Sequence, residues 1–224
     1  MKIFINDKPT DILGMAEHTL NEKDYDVVLN SKDELTSKKL TGRVLVYNAS
    51  FYQIERFLKI SEVKSLKKLE QITFLVADYN LAKDYLKDNF KIVKAAGGLV
   101  VKGDKTLMIY RFKKWDLPKG KLKKNEDAAK GAKREVEEEC NIKVELKEKI
   151  GVTWHTYTQR GKKILKKTIW YEMGCLDDSA MKPQLKEFIE EVKWMDRRDV
   201  KKVLKASYKS LEHVFNQYSD TYII

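Results

Sequence analysis

Two cysteines stand in 224 residues, Cys140 and Cys175, and they form no CxxC pair. That excludes a disulfide framework and fits a reducing compartment. No apolar run approaches the ~20 residues that cross a bilayer, so no membrane-spanning helix is expected. The opening residues, MKIFINDKPTD, have no long apolar stretch and no small-residue cleavage site, which argues against a secretory signal. Gly/Pro/Ser-rich linkers, repeats and low-complexity tracts are also missing. Together these absences point to a soluble cytoplasmic protein with no membrane partner.

What is present is core-forming residues and positive charge. The chain is 42% hydrophobic and 10% aromatic, enough to fill a core and too apolar for disorder. Its net charge of +11 suits a polyanionic partner: nucleic acid, nucleotides or inositol phosphates. The lysines are scattered, as in KSLKK and RGKKILKK, which describes a solvated surface first and a nucleic-acid stripe second.

The apolar pattern divides the chain into two regions, 1–90 and 91–224. In the first, strands are expected at 2–6, 25–29, 43–47 and 71–76, with helices at 51–69 and 80–89. Strand and helix alternate, so this is a small α/β unit with parallel pairing. Its lone His18 reads as a surface residue. In the second, strands are expected at 91–102 and 106–112, with a Gly103-Asp104 turn between them. The loop KKWDLPKGK and a glutamate-rich helix follow. Further strands are expected at 144–150, 153–158, 167–173 and 192–195, then a closing helix over 199–217.

Residues 120–142, GKLKKNEDAAKGAKREVEEECNI, carry the chemistry. Asn125 is the expected N-cap. At about 100° per residue, Ala129, Ala132, Val136 and Cys140 form a core-facing stripe. Glu135, Glu138 and Glu139 share an adjacent face, while Glu137 points away. Ala128 and Gly131 lie on the carboxylate face, where their small size would leave room for an ion and a substrate. Like charges at i,i+4 cost roughly 0.2–0.5 kcal/mol per pair, and a bound cation relieves that repulsion.

Gly120, Glu126, Arg134, Glu135, Val136, Glu138, Glu139 and Ile142 resemble the Nudix box: G, five residues, E, seven residues, then R-E-U-x-E-E-x-G-U, with U aliphatic. One position departs from it. Asn141 replaces the second glycine, and asparagine is the non-glycine residue best suited to the left-handed helix end. The resemblance spans about residues 91–218. It implies an α/β/α sandwich around a mixed sheet, preceded here by the small N-terminal α/β domain.

The resemblance also implies an activity, hydrolysis of a phosphoanhydride in a nucleoside diphosphate-linked substrate. Glu135, Glu138 and Glu139 would hold Mg²⁺, with Mn²⁺ as the alternative, and the Lys119 carbonyl would add a ligand. Arg134 would orient a glutamate, and Glu126 would support the site. The general base would be a box glutamate or an acid on a later loop. Of Glu187, Glu190 and Glu191, Glu187 is preferred. The WDLPKGK loop resembles dinucleoside polyphosphate, diphosphoinositol polyphosphate and mRNA-decapping enzymes. Lys119, Lys121, Lys166 and Lys167 are candidate phosphate contacts. Trp115, Tyr157, Trp170 and Tyr171 are candidates to stack on a base, and His155 is a further phosphate candidate. An RNA 5′-end pyrophosphohydrolase and a nucleic-acid-binding regulator on the same fold are the alternatives. The box glutamates argue against the regulator. A homodimer paired through the N-terminal region is a further expectation.

Overall fold

The computed structural model describes residues 1–219; the last five residues of the expected 91–224 region lie outside the described residues. The chain forms two compact units. One takes Met1–Ile92 together with Trp154–Leu165, the other Val93–Thr153 and the residues from Lys166 onward.

The first unit holds β1 (Lys2–Ile5), β2 (Lys8–Gly14), β3 (Val27–Asn30), β4 (Gly42–Tyr47), α1 (Phe51–Val63), β5 (Leu69–Val76) and α2 (Tyr79–Asp88). Its strands lie in the order β1-β2-β5-β4-β3. The β1–β2 pair is antiparallel, and β2, β5, β4 and β3 run parallel. Ser50 opens α1 with a reciprocal capping box to Gln53. Ile54, Phe57 and Leu58 then bury against Val44, Val46, Ile72 and Phe74 of the sheet, and Leu165 completes the same core. Sequence reading missed β2, whose KPTDILG carries a proline and an aspartate, and it ran α1 on to 69. The helix stops at Val63, and Lys64 is already extended.

The second unit holds β6 (Lys91–Lys102) from Val93, β7 (Lys105–Arg111), β8 (Lys114–Asp116), β9 (Lys119–Lys121), α3 (Ala128–Cys140), β10 (Lys143–Gln159) as far as Thr153, β11 (Lys162–Asp177) from Lys166, β12 (Ile189–Met195), α4 (Arg197–Leu204) and α5 (Lys209–Tyr218). The sheet order is β12-β7-β6-β11-β10, with β8 on β7 and β9 on β6. One sheet face packs Ala96, Val100, Leu107 and Ile109 against Ala132, Val136 and Cys140 of α3. The other packs Leu99, Met108 and Trp170 against Val200, Leu204, Leu211, Val214 and Phe215 of α4 and α5. This is an α/β/α sandwich.

Three expectations are corrected here. The strands at 144–150 and 153–158 are one continuous strand, β10, and Gly151 lies within it without ending it. The closing helix is two helices, broken at 205–208, where the Ser207 hydroxyl turns away to donate to the Trp115 carbonyl at 2.5 Å. The WDLPKGK segment contains β8 and β9 and is not a free loop. No helix among the described residues is long and apolar enough to cross a membrane.

Candidate active site

The glutamate helix begins two residues later than its sequence suggests. Asp127 is the N-cap, accepting from the N–H groups of Ala129 and Lys130 at 3.0 Å each. Asn125 instead has φ 61° in the preceding turn. The helix ends at Asn141 in the left-handed conformation, φ 53° and ψ 49°. The Asn141 side chain also donates to the Ala180 carbonyl at 2.5 Å. The carbonyls of Glu139 and Cys140 accept from the N–H groups of Gln184 and Lys182 at 3.0 and 3.1 Å. The segment leading to Glu187 is therefore tied to the end of α3.

Arg134 gathers the acidic side chains. It makes a two-pronged contact to Glu126, Nε to Oε1 at 2.7 Å and Nη2 to Oε2 at 2.9 Å. Its Nη1 meets Glu135 at 2.8 Å and Glu138 at 3.1 Å. The Lys123 N–H also donates to Glu126 at 2.8 Å. The guanidinium first, and that N–H second, hold the Glu126 carboxyl down at about 2. Glu137 faces elsewhere and accepts from the Val144 N–H at 3.3 Å.

Glu139 stands apart, 1% exposed. It accepts from the Lys119 N–H at 2.8 Å and from Arg111 Nη1 at 3.3 Å. Burial pushes its carboxyl up to about 7, with the charges of Lys119 and Arg111 pulling against that. Glu135 is also raised by burial, opposed by Arg134 and reinforced by the charges of Glu138 and Glu187. Glu187, exposed in the 3₁₀ turn Leu185–Glu187, is thus felt at the carboxylate cluster.

Glycine is required at position 120 because a side-chain carbon there would overlap the Glu135 carboxylate. Gly131 has another reason to be small. A β-carbon would run into the Leu122 side chain and approach Glu126 at 3.2 Å. The space beside Gly131 is therefore filled by protein, correcting the expectation that it stays open for ion and substrate. Gly120→Ala should displace Glu135 and abolish activity, whereas Gly103→Ala, whose β-carbon meets nothing within 4 Å, should retain it. Equal turnover in both variants would contradict this account.

The other expected residues are dispersed. Lys121 is exposed on β9, and its carbonyl accepts from Arg134 at 3.3 Å. The Lys119 ammonium pairs with buried Asp116 at 2.5 Å. Lys166 lies near that pair on β11, and burial lowers its ammonium to about 7, with the Lys119 charge adding to the effect. Lys167 and Tyr171 are half-buried on the same strand, and Tyr171 packs on the α3 side. Trp115 packs on the α4–α5 side, with its ring 5.1 Å from Tyr110. Trp170 is core, 3% exposed, and its indole donates to Thr153 at 2.8 Å, so it is no stacking surface. Tyr157 and His155 belong to the first unit, with ring centroids 5.9 Å apart. Glu190 and Glu191 are exposed on β12. Sequence reasoning missed Arg111 and Asp116. Asp116 was legible only as the acid three residues before Lys119.

Among the described residues, no three acidic, histidine or cysteine side chains stand close enough to hold an ion as placed. Glu135 and Glu138 turn to Arg134, and Glu139 to Arg111 and the Lys119 amide. The donor set still fits a hard divalent cation. It consists of carboxylate oxygens at i, i+3 and i+4 of one helix, beside a backbone segment already bonded to one of them.

The NUDIX domain family matches residues 91–215. No curated protein matches the chain. Among solved structures it is similar to a NUDIX hydrolase from Nitrosomonas europaea (24% identity, TM-score 0.39). That match covers 49% of this chain and 60% of that one. It is also similar to an Ap4A hydrolase from C. elegans, at 25% identity over 57% of this chain and 96% of that one, TM-score 0.43. A MutT protein from Methanosarcina mazei Go1 aligns at 20% identity over 58% and 97%, TM-score 0.45.

Proposed function

Since this chain belongs to the Nudix family, we propose that it is a Mg²⁺-dependent pyrophosphohydrolase that cleaves a phosphoanhydride in a nucleoside diphosphate-linked substrate. The observation that carries this reading is the convergence of Glu126, Glu135 and Glu138 on Arg134, with Glu135 seated against Gly120.

Glu135, Glu138 and Glu139, with the Lys119 carbonyl, would hold Mg²⁺, or Mn²⁺ in its place. A bound ion of this kind neutralises phosphate charge and acidifies a bound water. Arg134 orients Glu135 and Glu138, and its charge-assisted bonds to Glu126 fix the guanidinium itself. Arg111 and the Lys119 N–H hold Glu139. Glu187 is the preferred general base, being exposed and close enough for its charge to act on Glu135. Lys121 and Lys167 are the candidate phosphate contacts, while the Lys119 ammonium is engaged by Asp116 and burial favours the neutral form of Lys166.

The WDLPKGK segment makes diadenosine tetraphosphate the first substrate to test, in a phosphoanhydride panel with Mg²⁺ and with Mn²⁺. Metal-dependent release of a nucleotide product supports the reading; no cleavage of any member rejects it. The +11 charge favours a second reading, removal of pyrophosphate from RNA 5′ ends. It requires kcat/KM on 5′-triphosphorylated RNA to exceed that on free nucleotides, with a steep salt dependence.

A further inference from the structure

The β7–β12 ladder ends at the pair Arg111↔Ile189. One residue beyond it on each strand stands a phenylalanine, Phe112 and Phe188. Their rings lie 5.5 Å apart at 34°. They are 56% and 66% exposed, far more than any tryptophan or tyrosine flagged from sequence in this unit. Leu185, 74% exposed, lies three residues before Phe188.

Both phenylalanines have left-handed backbone, φ 50° at Phe112 and 59° at Phe188. That conformation is unfavourable for a residue with a β-carbon. Phe112-Lys113 forms the two-residue turn between β7 and β8, where both residues have positive φ and Asn-Gly is the relaxed choice. Of the equivalent turns, Asn6-Asp7 has the favoured asparagine first and Arg160-Gly161 the favoured glycine second, whereas Phe112-Lys113 has neither. An exposed aromatic pair kept at a local conformational cost signals a contact with something outside the fold.

The pair is wired to the carboxylate site. The Arg111 guanidinium lies 5.0 Å from the centroid of the Phe112 ring while its Nη1 reaches Glu139 at 3.3 Å. Phe188 directly follows Glu187, and the segment before it is bonded to the Glu139 carbonyl through the Gln184 N–H. A ligand that places a phosphate among the glutamates has Phe112 and Phe188 at the edge of the same site.

Building on the proposed hydrolase reading, we infer that Phe112 and Phe188 form a stacking platform for the nucleobase of the substrate. Flat apolar rings with open faces attract any π-system, and Arg111 adds a cation beside them. The platform distinguishes substrates with an aromatic base from those without one. It does not tell one base from another, because its two rings offer no hydrogen-bonding group. The substrate class narrows accordingly to base-bearing anhydrides, with diphosphoinositol polyphosphates disfavoured.

The test uses the full chain and 1,N⁶-etheno-AMP, with affinity read by fluorescence anisotropy. Phe112→Ala and Phe188→Ala should each weaken binding about tenfold, the scale of one lost base–aromatic stack. Phe112→Trp and Phe188→Trp should restore it. Phe112→Asn should raise the thermal midpoint, by relaxing the turn, while still losing affinity. Alanine variants that bind etheno-AMP as tightly as the parent, or a parent that does not bind it, would overturn the platform. The hydrolysis panel decides the reaction separately, since this readout needs no turnover.

Discussion

Glu138→Gln should lower Mg²⁺-dependent turnover by about 10²- to 10⁴-fold, the range for losing a group that handles charge or a proton in the transition state. Its thermal midpoint should stay near that of the parent. Glu138 has a side chain 48% exposed, and its ion pair to Arg134 is longer than those that arginine makes to Glu126 and Glu135. Surface pairs of this kind contribute at most about 1 kcal/mol. Activity and stability should therefore separate cleanly. Steady-state kinetics over a Mg²⁺ titration, beside a thermal melt, checks both. Wild-type turnover in the variant would remove the carboxylate cluster from the mechanism.

Glu139→Gln should lose activity comparably and behave oppositely in the melt. Burial raises the Glu139 carboxyl to about 7 in the folded chain, against about 4.5 for an unperturbed glutamate. Between those values the unfolded chain has released the proton and the folded chain retains it. Folding stability therefore falls as pH rises through that window, and the cost is fully present above it. The shift corresponds to roughly 3–4 kcal/mol, at 1.36 kcal/mol per unit. Glutamine does not titrate. Metal-free Glu139→Gln should be more stable than the parent above pH 7, and its midpoint should vary less between pH 5 and 8. Mg²⁺ should stabilise the parent at pH 8 far more than the variant. Parallel pH profiles for the two metal-free proteins would show that the buried carboxyl carries no such cost.

The α3 segment was legible because its chemistry is local. The i, i+3, i+4 carboxylates, the opposed Glu137, the core stripe and the left-handed Asn141 all follow from helical period and backbone preference. Residues joined across long stretches of chain were not. Arg111 reaches Glu139 across 28 positions, and Ser207 breaks the closing helix to reach Trp115 across 92. No periodicity encodes either contact. Strand β2 escaped because its buried residues include Thr10 and Asp11 among the apolar ones. Phe112 and Phe188 escaped because sequence reading assigns aromatic residues to cores or strands. Their exposure depends on two backbone angles that the residue type disfavours.

The first unit draws its Leu165 and the strand segment around His155 from far along the chain, with Phe4 registered against His155 and Leu165 in its core. During synthesis, residues 1–92 leave the ribosome well before those pieces exist. At roughly 5–20 residues per second, the wait is on the order of 4–15 s. Throughout that interval the nascent sheet has an open edge at β1 and a gap in its apolar interior. A nascent chain in this state is a natural client for a holding chaperone, even though the finished unit is well packed.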